Sequence, residues 1–132
     1  MNIFIVENSG TSRDRLQSIL SDITGIRVIG HATADEPGVI ERIDTLLPDV
    51  VIFDSLRDMA VVGMLESIKK CHPMIKVMVL DDCANELHFN RCKRAGVDHF
   101  FDRSSQIMRT RAALWKCVYD YRFGSHLDAL FP

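Results

Sequence analysis

The 132-residue sequence has no long apolar run, and this absence argues against a membrane-spanning segment. Its first ten residues, MNIFIVENSG, carry no basic segment, and their apolar stretch stops at Val6, so we expect no signal peptide. The sequence also lacks a large excess of either charge. Its net charge of −2 gives no broad positive field to attract nucleic acid or an anionic membrane. We therefore expect a cytoplasmic protein that binds neither membranes nor nucleic acid directly.

Cysteine pairs at metal-binding spacing are lacking as well. The four cysteines stand at positions 71, 83, 92 and 117, and none of them forms a C-x-x-C pair. That spacing indicates neither a zinc site nor a redox motif. Reduced, mostly structural thiols are the expectation.

Repeats, low-complexity tracts and Pro- or Gly-rich linkers are absent, and 47% of the residues are hydrophobic. The length and composition predict one domain over residues 1–121 with a buried core, followed by a tail over 122–132 without a clear pattern. Short apolar runs alternate with amphipathic stretches, which is typical of a parallel sheet covered by helices. The predicted strands cover residues 3–6, 27–30, 50–53, 77–80 and 99–101.

Helical spacing between these strands predicts five helices with one buried face each. The residues predicted to face inward are Leu16, Ile19, Leu20 and Ile23, then Val39, Ile40, Ile43 and Leu47, then Val61, Met64, Leu65 and Ile68, then Leu87, Cys92 and Ala95, and finally Ile107, Leu114, Val118 and Tyr121. The first, third and fourth strands show no polar alternation, so we expect them to be central and parallel, with the more polar second strand at an edge. The predicted fold is α/β and doubly wound, with a five-stranded parallel sheet of order 2-1-3-4-5 and five helices.

Polar residues follow the apolar strands: Glu7, Asp54, Asp81 and Arg103 each come at or just after a strand end. In an open parallel sheet, ligands bind outside the carboxyl ends of the strands, where the strand order reverses. Carboxylates are ligands for Mg²⁺, a cation beside them can neutralise a phosphoryl group, and an aspartate can be a nucleophile toward phosphorus. Singly, each residue can equally be a solvated loop residue. Four at matching strand ends favour a phosphoryl site.

The sequence over residues 47–54, LPDVVIFD, closely resembles the third strand and phospho-acceptor aspartate of the receiver domains of two-component signalling. Residues 94–104, RAGVDHFFDRS, resemble the family's Gly-Ala run that leads to a phosphate-contacting lysine. The resemblance covers residues 1–121. It implies a flavodoxin-like fold, Mg²⁺ as the cofactor, and a histidine kinase or phosphotransfer protein as the phosphoryl donor. It also implies that the chain is not an enzyme beyond its own phosphorylation and dephosphorylation.

The resemblance assigns a role to individual positions. Asp54 would be the phospho-acceptor, Arg103 would contact the phosphate in place of lysine, Asp81 would hold the switch position of a Thr or Ser, and Phe100 would be the switch aromatic. The implied metal ligands are Glu7, Asn8, Asp54 and the backbone carbonyl of Leu56.

Three of these positions depart from the family's pattern. Asn8 brings no charge where the family has a second acid, which should weaken Mg²⁺ binding. Arg103 is a bulkier planar cation than lysine, and a carboxylate at Asp81 cannot donate a hydrogen bond to a phosphoryl group. We also expect Asp81 and Arg103 to pair across the site. The functions left open are a receiver with impaired phosphorylation and a pseudo-receiver that acts as an interaction module without phosphorylation.

Two further segments allow other interpretations. Residues 9–12, SGTS, could form the phosphate loop of a flavin site, although Glu7 beside them disfavours an anionic ligand. The last predicted helix is basic and contains Trp115, so it could bind a partner. By resemblance, a homodimer would form through the fourth helix, the fifth strand and the fifth helix.

Overall fold

The computed structural model describes residues 1–7, 13–54, 61–81, 86–102 and 107–123. Its strands are β1 Asn2–Glu7, β2 Arg27–Thr33, β3 Val50–Asp54, β4 Lys76–Asp81 and β5 His99–Asp102. Its helices are α1 Arg13–Ser21, α2 Val39–Leu46, α3 Val61–Cys71, α4 Glu86–Arg94 and α5 Ile107–Phe123. The strands form one parallel sheet in the order β2-β1-β3-β4-β5, which confirms the predicted fold and places β2 at an edge.

The sheet has a separate core on each face, because successive side chains of a strand point to opposite sides. On one face, Phe4, Val51 and Val77 pack with residues of α2, α3 and α4. On the other face, Ile5 and Ile52 pack with residues of α1 and α5. Both faces of the central strands are therefore covered, as their uninterrupted apolar sequence predicts.

Among the side chains that the structure describes, three predicted to face inward are exposed instead. Leu47 is 57% exposed because it follows α2 in the left-handed conformation, with φ 46°, and this turns it out of the helical register. Leu87 on α4 is 57% exposed, since a polar neighbour takes the inward position described below. Tyr121 is 59% exposed in the last turn of α5, beyond Val118, where the buried stripe of the helix ends.

The close packing of β1 on β2 depends on Gly30. A Cβ atom at this position would lie 2.6 Å from Cε2 of Phe4, which is fully buried. The Arg42 guanidinium of α2 lies over the same ring, 5.1 Å from its centroid, and donates to the backbone oxygen of His31 at 3.0 Å. Because Gly30 has no side chain, the Phe4 ring can pack directly against β2, with Arg42 of α2 lying over the ring.

An ion pair fastens α3 to the end of the sheet where β4 and β5 begin. The Lys69 ammonium donates to Asp98 Oδ2 at 2.9 Å and to the backbone oxygens of Ile75 and Pro73 at 2.9 and 3.1 Å. Asp98 Oδ2 also accepts the backbone N–H of Val77 at 2.8 Å. These bonds join the start of β4 to the residue that precedes β5.

Among the described residues, no helix is long and apolar enough to cross a membrane. Three of the cysteines fall in this part of the chain and are free thiols: Cys71 is exposed, Cys92 is buried and Cys117 is half-buried.

Candidate functional site

Glu7 and Asp54 form the centre of the candidate site. They are the last residues of β1 and β3 and are register partners across the two central strands. Both are buried, with 5% and 1% of their surface exposed. Alternation along the strands puts both side chains on the α1/α5 face, because Ile5 and Ile52 share that parity. Two carboxylates are therefore side by side at the point where the strand order reverses.

Asp81 ends the next strand, β4, and is also 1% exposed. Its strand parity is that of Val77 and Val79, which pack on the face covered by α2, α3 and α4. The third carboxylate thus lies at the same edge of the sheet as Glu7 and Asp54 but on the α4 side. Its register partner on β5 is Asp102.

The structure pairs Asp81 with a residue that the sequence analysis did not select. His88 Nδ1, from the first half of α4, lies 2.7 Å from Asp81 Oδ2, and the two side chains are 18% and 2% exposed. A carboxylate oxygen accepts hydrogen bonds, so Nδ1 is the donor. Helical spacing could have indicated that His88 faces inward, because His88, Cys92 and Ala95 stand at i, i+4 and i+7. Cys92 and Ala95 are both buried.

The proximity of Asp81 to α4 also affects Cys92. Burial, and after it the negative charge of Asp81, raises the pKa of the Cys92 thiol to about 11. This thiol is therefore a protonated core residue near neutral pH, in agreement with the structural role predicted for it.

Phe100, the predicted switch aromatic, lies on β5 and is held by α4. Its ring packs edge-on against Phe89, with the centroids 5.7 Å apart and the planes at 81°. The same ring packs against the core on the α4 face. Because Phe89 directly follows His88, two consecutive residues of α4 contact two predicted site positions.

Several predicted site residues lie outside the described part of the chain. These are Asn8, Leu56 and Arg103, together with residues 9–12 of the alternative flavin loop. Their roles, and the pairing of Asp81 with Arg103, stay predictions.

The described donor atoms fit Mg²⁺ better than a transition metal. Glu7 and Asp54 bring hard carboxylate oxygens on neighbouring strands, and Mg²⁺ binds through one or two carboxylates together with phosphate oxygens and water. Within the described ranges, no group of three or more His, Cys, Asp or Glu residues could hold a metal ion. The two carboxylates would need further oxygen ligands to complete a magnesium site.

A second surface of interest is the outer face of α5, lined by Met108, Arg111, Ala112, Trp115, Lys116 and Tyr119. Trp115 is 59% exposed and Met108 is 68% exposed, although Leu114 and Val118 of the same helix are buried in the core. A helix that is apolar on two faces has a second surface suited to protein contact.

Comparison with known proteins finds relatives of the chain. No family model matches the chain. The response regulator GacA of Pseudomonas viridiflava is 28% identical over 108 residues, which cover 80% of this chain and 49% of that protein. The response regulator protein VraR of Staphylococcus aureus strain Mu3 is 30% identical over 114 residues, covering 86% of this chain and 51% of that protein. The chain is a homologue of response regulators.

A solved structure shares the fold of the chain. The signal receiver domain of the putative response regulator NarL from Mycobacterium tuberculosis is similar with a TM-score of 0.72. The identity is 20%, over 93% of this chain and 96% of that one, so this likeness shows the receiver fold. The chain spans about half the length of the curated relatives it matches.

Proposed function

We propose that this receiver accepts a phosphoryl group on Asp54 from a histidine kinase or a phosphotransfer protein. The observation that carries the proposal is the placement of Asp54, which ends the central strand β3 opposite Glu7, at the reversal of strand order. The homology of the chain to response regulators supports a role in two-component signalling.

In the proposed reaction, an Asp54 carboxylate oxygen attacks the phosphorus of the phosphohistidine. A new P–O bond forms while the P–N bond breaks, and the donor imidazole leaves with the bonding electron pair and takes up a proton. Mg²⁺ supplies charge neutralisation on the phosphoryl oxygens when it is bound. We propose Glu7, Asn8, Asp54 and the Leu56 carbonyl as its ligands. Arg103 would offset the remaining negative charge.

We expect this chemistry to be impaired relative to an ordinary receiver. Asn8 reduces the charge available to Mg²⁺, and Asp81 cannot donate a hydrogen bond to the phosphoryl group. The short bond between Asp81 and His88 at 2.7 Å further engages the carboxylate at the position where the family has a hydroxyl.

The test is the intact mass of the protein after incubation with acetyl phosphate and Mg²⁺. We expect a fraction of the protein to gain the mass of one phosphoryl group, and Asp54→Asn to abolish this gain. Asp120→Asn is the matched control, because it removes a carboxylate from the exposed side of α5, away from the sheet edge. Absence of an adduct, under conditions that label an ordinary receiver, would contradict the proposal.

The outer face of α5 favours a second candidate function, that of an interaction module which works without phosphorylation. Its exposed aromatic residues, Trp115 and Tyr119, lie outside the candidate phosphoryl site, and on α4 the apolar residues Leu87 and Phe89 are also exposed, at 57% and 45%. We infer that a second copy of the chain is bound through α4, β5 and α5.

Sedimentation velocity at increasing protein concentration, without any phosphoryl donor, tests this candidate. We expect a dimer that Trp115→Ala weakens about tenfold, because exposed tryptophan residues are enriched among the few residues that dominate binding energy at interfaces. Tyr121→Ala is the control, because Tyr121 is as exposed as Trp115 but is not among the residues that line the outer face of α5. A monomer at all concentrations, or equal effects of both substitutions, would contradict the candidate.

A further inference from the structure

The contact between Asp81 and His88 ties a helix to the end of a strand inside the candidate site. The bond is 2.7 Å long, and its carboxylate is 2% exposed. Buried carboxylates depend on hydrogen-bond donors, because a donor that is lost leaves the charge without compensation for its lost hydration. We therefore expect the position of the Asp81 carboxylate to depend on the donor that α4 supplies.

Strand parity explains why this donor comes from α4. Asp81 lies on the face of the sheet that α2, α3 and α4 cover, whereas Glu7 and Asp54 lie on the α1/α5 face. The Asp81 carboxylate thus lies at the same edge of the sheet as Glu7 and Asp54 but on the side covered by α4. His88 shares its helical face with the buried Cys92, so its ring is part of the contact between α4 and the sheet.

The neighbouring residue extends the contact to β5. Phe89 packs edge-on against Phe100 with ring centroids 5.7 Å apart. Aromatic pairs at this distance and angle are attractive in addition to the area they bury. His88 and Phe89 together hold the first half of α4 against the ends of β4 and β5, one by a charge-assisted hydrogen bond and the other by an aromatic contact.

We propose that His88 is a positioning residue, which fixes the Asp81 carboxylate and fastens α4 to the end of β4 in the absence of a phosphoryl group. In an ordinary receiver, the hydroxyl at this position would be available to a phosphoryl oxygen. Here the arrangement of α4 and Phe100 is set by a bond within the chain. The role of His88 in regulation of the site rests on the proposed function of the chain as a phosphoryl-accepting receiver.

Hydrogen–deuterium exchange of α4, measured without any phosphoryl donor, tests the proposal. We expect His88→Ala to raise the exchange of the amides over residues 86–94 roughly tenfold, because the buried Asp81 carboxylate loses the donor that α4 supplies. His88→Asn should restore protection to within about threefold of the native protein, since its amide nitrogen can stand near the position of Nδ1. His88→Gln, whose amide extends farther, should not restore it.

A matched control is available in a second histidine of the chain. His72 Nε2 contacts Asp44 Oδ1 at the same distance of 2.7 Å, but these side chains are 24% and 49% exposed and lie away from the site edge. His72→Ala should leave exchange of α4 unchanged. Asp81→Leu removes the acceptor, and in that background we expect His88→Ala to add little, because the two residues act as one unit.

Each outcome decides for or against the positioning role. Native exchange in His88→Ala would overturn it, as would equal exchange in the Ala, Asn and Gln variants, which would indicate packing alone. A full additional effect of His88→Ala in the Asp81→Leu background would also overturn it. Because the experiment contains no phosphoryl donor, its result is independent of whether Asp54 can be phosphorylated.

Discussion

Replacement of Lys69 by methionine should destabilise the fold, because this ammonium joins three segments at the end of the sheet opposite the candidate site. Its three N–H groups match its three acceptors, which are Asp98 Oδ2 and the backbone oxygens of Ile75 and Pro73, at 2.9 to 3.1 Å. Methionine keeps the apolar part of the side chain and removes all three donors. The substitution therefore isolates the polar contribution of the ammonium.

The expected magnitude follows from burial. A hydrogen bond to a charged group contributes about 1.5–3 kcal/mol, and removal of one partner of a buried pair costs about 3–5 kcal/mol. The side chains of Lys69 and Asp98 are 14% and 22% exposed, so water can partly replace the lost donor. Asp98 also keeps the N–H of Val77 at 2.8 Å. We therefore expect a loss of about 2–3 kcal/mol in the free energy of unfolding, toward the lower end of those ranges.

Urea denaturation followed by circular dichroism measures this loss. In a separate thermal denaturation, a reduction of about 2–3 kcal/mol in the free energy of unfolding corresponds to a fall in Tm of roughly 6–10 °C for a domain of this size. Lys70→Met is the control, since Lys70 is the next residue of α3 and is exposed. If the two substitutions differ by less than about 0.5 kcal/mol, the assigned network does not stabilise the protein as described.

Three further predictions follow from individual residues. Gly30→Ala should destabilise the protein by about 1–3 kcal/mol in urea denaturation, because its Cβ would lie 2.6 Å from the Phe4 ring, whereas Gly63→Ala, with open space around it, should not. Burial lowers the pKa of His99 below 6.5, so stability should fall as the pH drops below that value, and His99→Gln should flatten this part of the pH profile of unfolding. Burial raises the pKa of Cys92 to about 11, so iodoacetamide should alkylate it far more slowly at about pH 8 in the native protein than in urea; equal rates would contradict this.

The sheet could be predicted from the sequence because its signal is strong at every strand. Uninterrupted apolar runs at β1, β3 and β4 identify central parallel strands, and the polar β2 identifies an edge. The residues that end the strands then follow from the topology, and Glu7, Asp54 and Asp81 are indeed buried at one edge. What hydropathy does not reveal is that Asp81 lies on the opposite face from the other two.

The orientation of α4 could not be predicted from hydropathy. Leu87 was expected to face inward, yet it is 57% exposed and the polar His88 takes the inward position. A feature outside the helix accounts for this, because the buried Asp81 offers His88 a hydrogen-bond partner at 2.7 Å, which compensates for burial of this polar side chain. Helical spacing places His88 on the face of the buried Cys92 and Ala95, but its hydrogen-bond partner lies seven positions away, at the end of β4, and spacing within the helix does not reveal that partner.

The exposed end of α2 shows a second limit of periodicity. Leu47 continues the inward spacing of Ile43 but takes a left-handed conformation, and this conformation directs it to solvent. A left-handed helix end is usually marked by glycine, and the sequence has leucine there. The roles of Asn8, Leu56 and Arg103 remain predictions of the family resemblance.

The most direct test of the account is chemical identification of the phosphorylated residue. After incubation with acetyl phosphate and Mg²⁺, borohydride reduces an acyl phosphate of aspartate to homoserine, which peptide mass mapping can locate. The account predicts homoserine at position 54 when both reagents are present, and its loss when Mg²⁺ is chelated. Homoserine at another aspartate, or at none while an ordinary receiver is converted in parallel, would contradict the assignment of Asp54 as the phospho-acceptor.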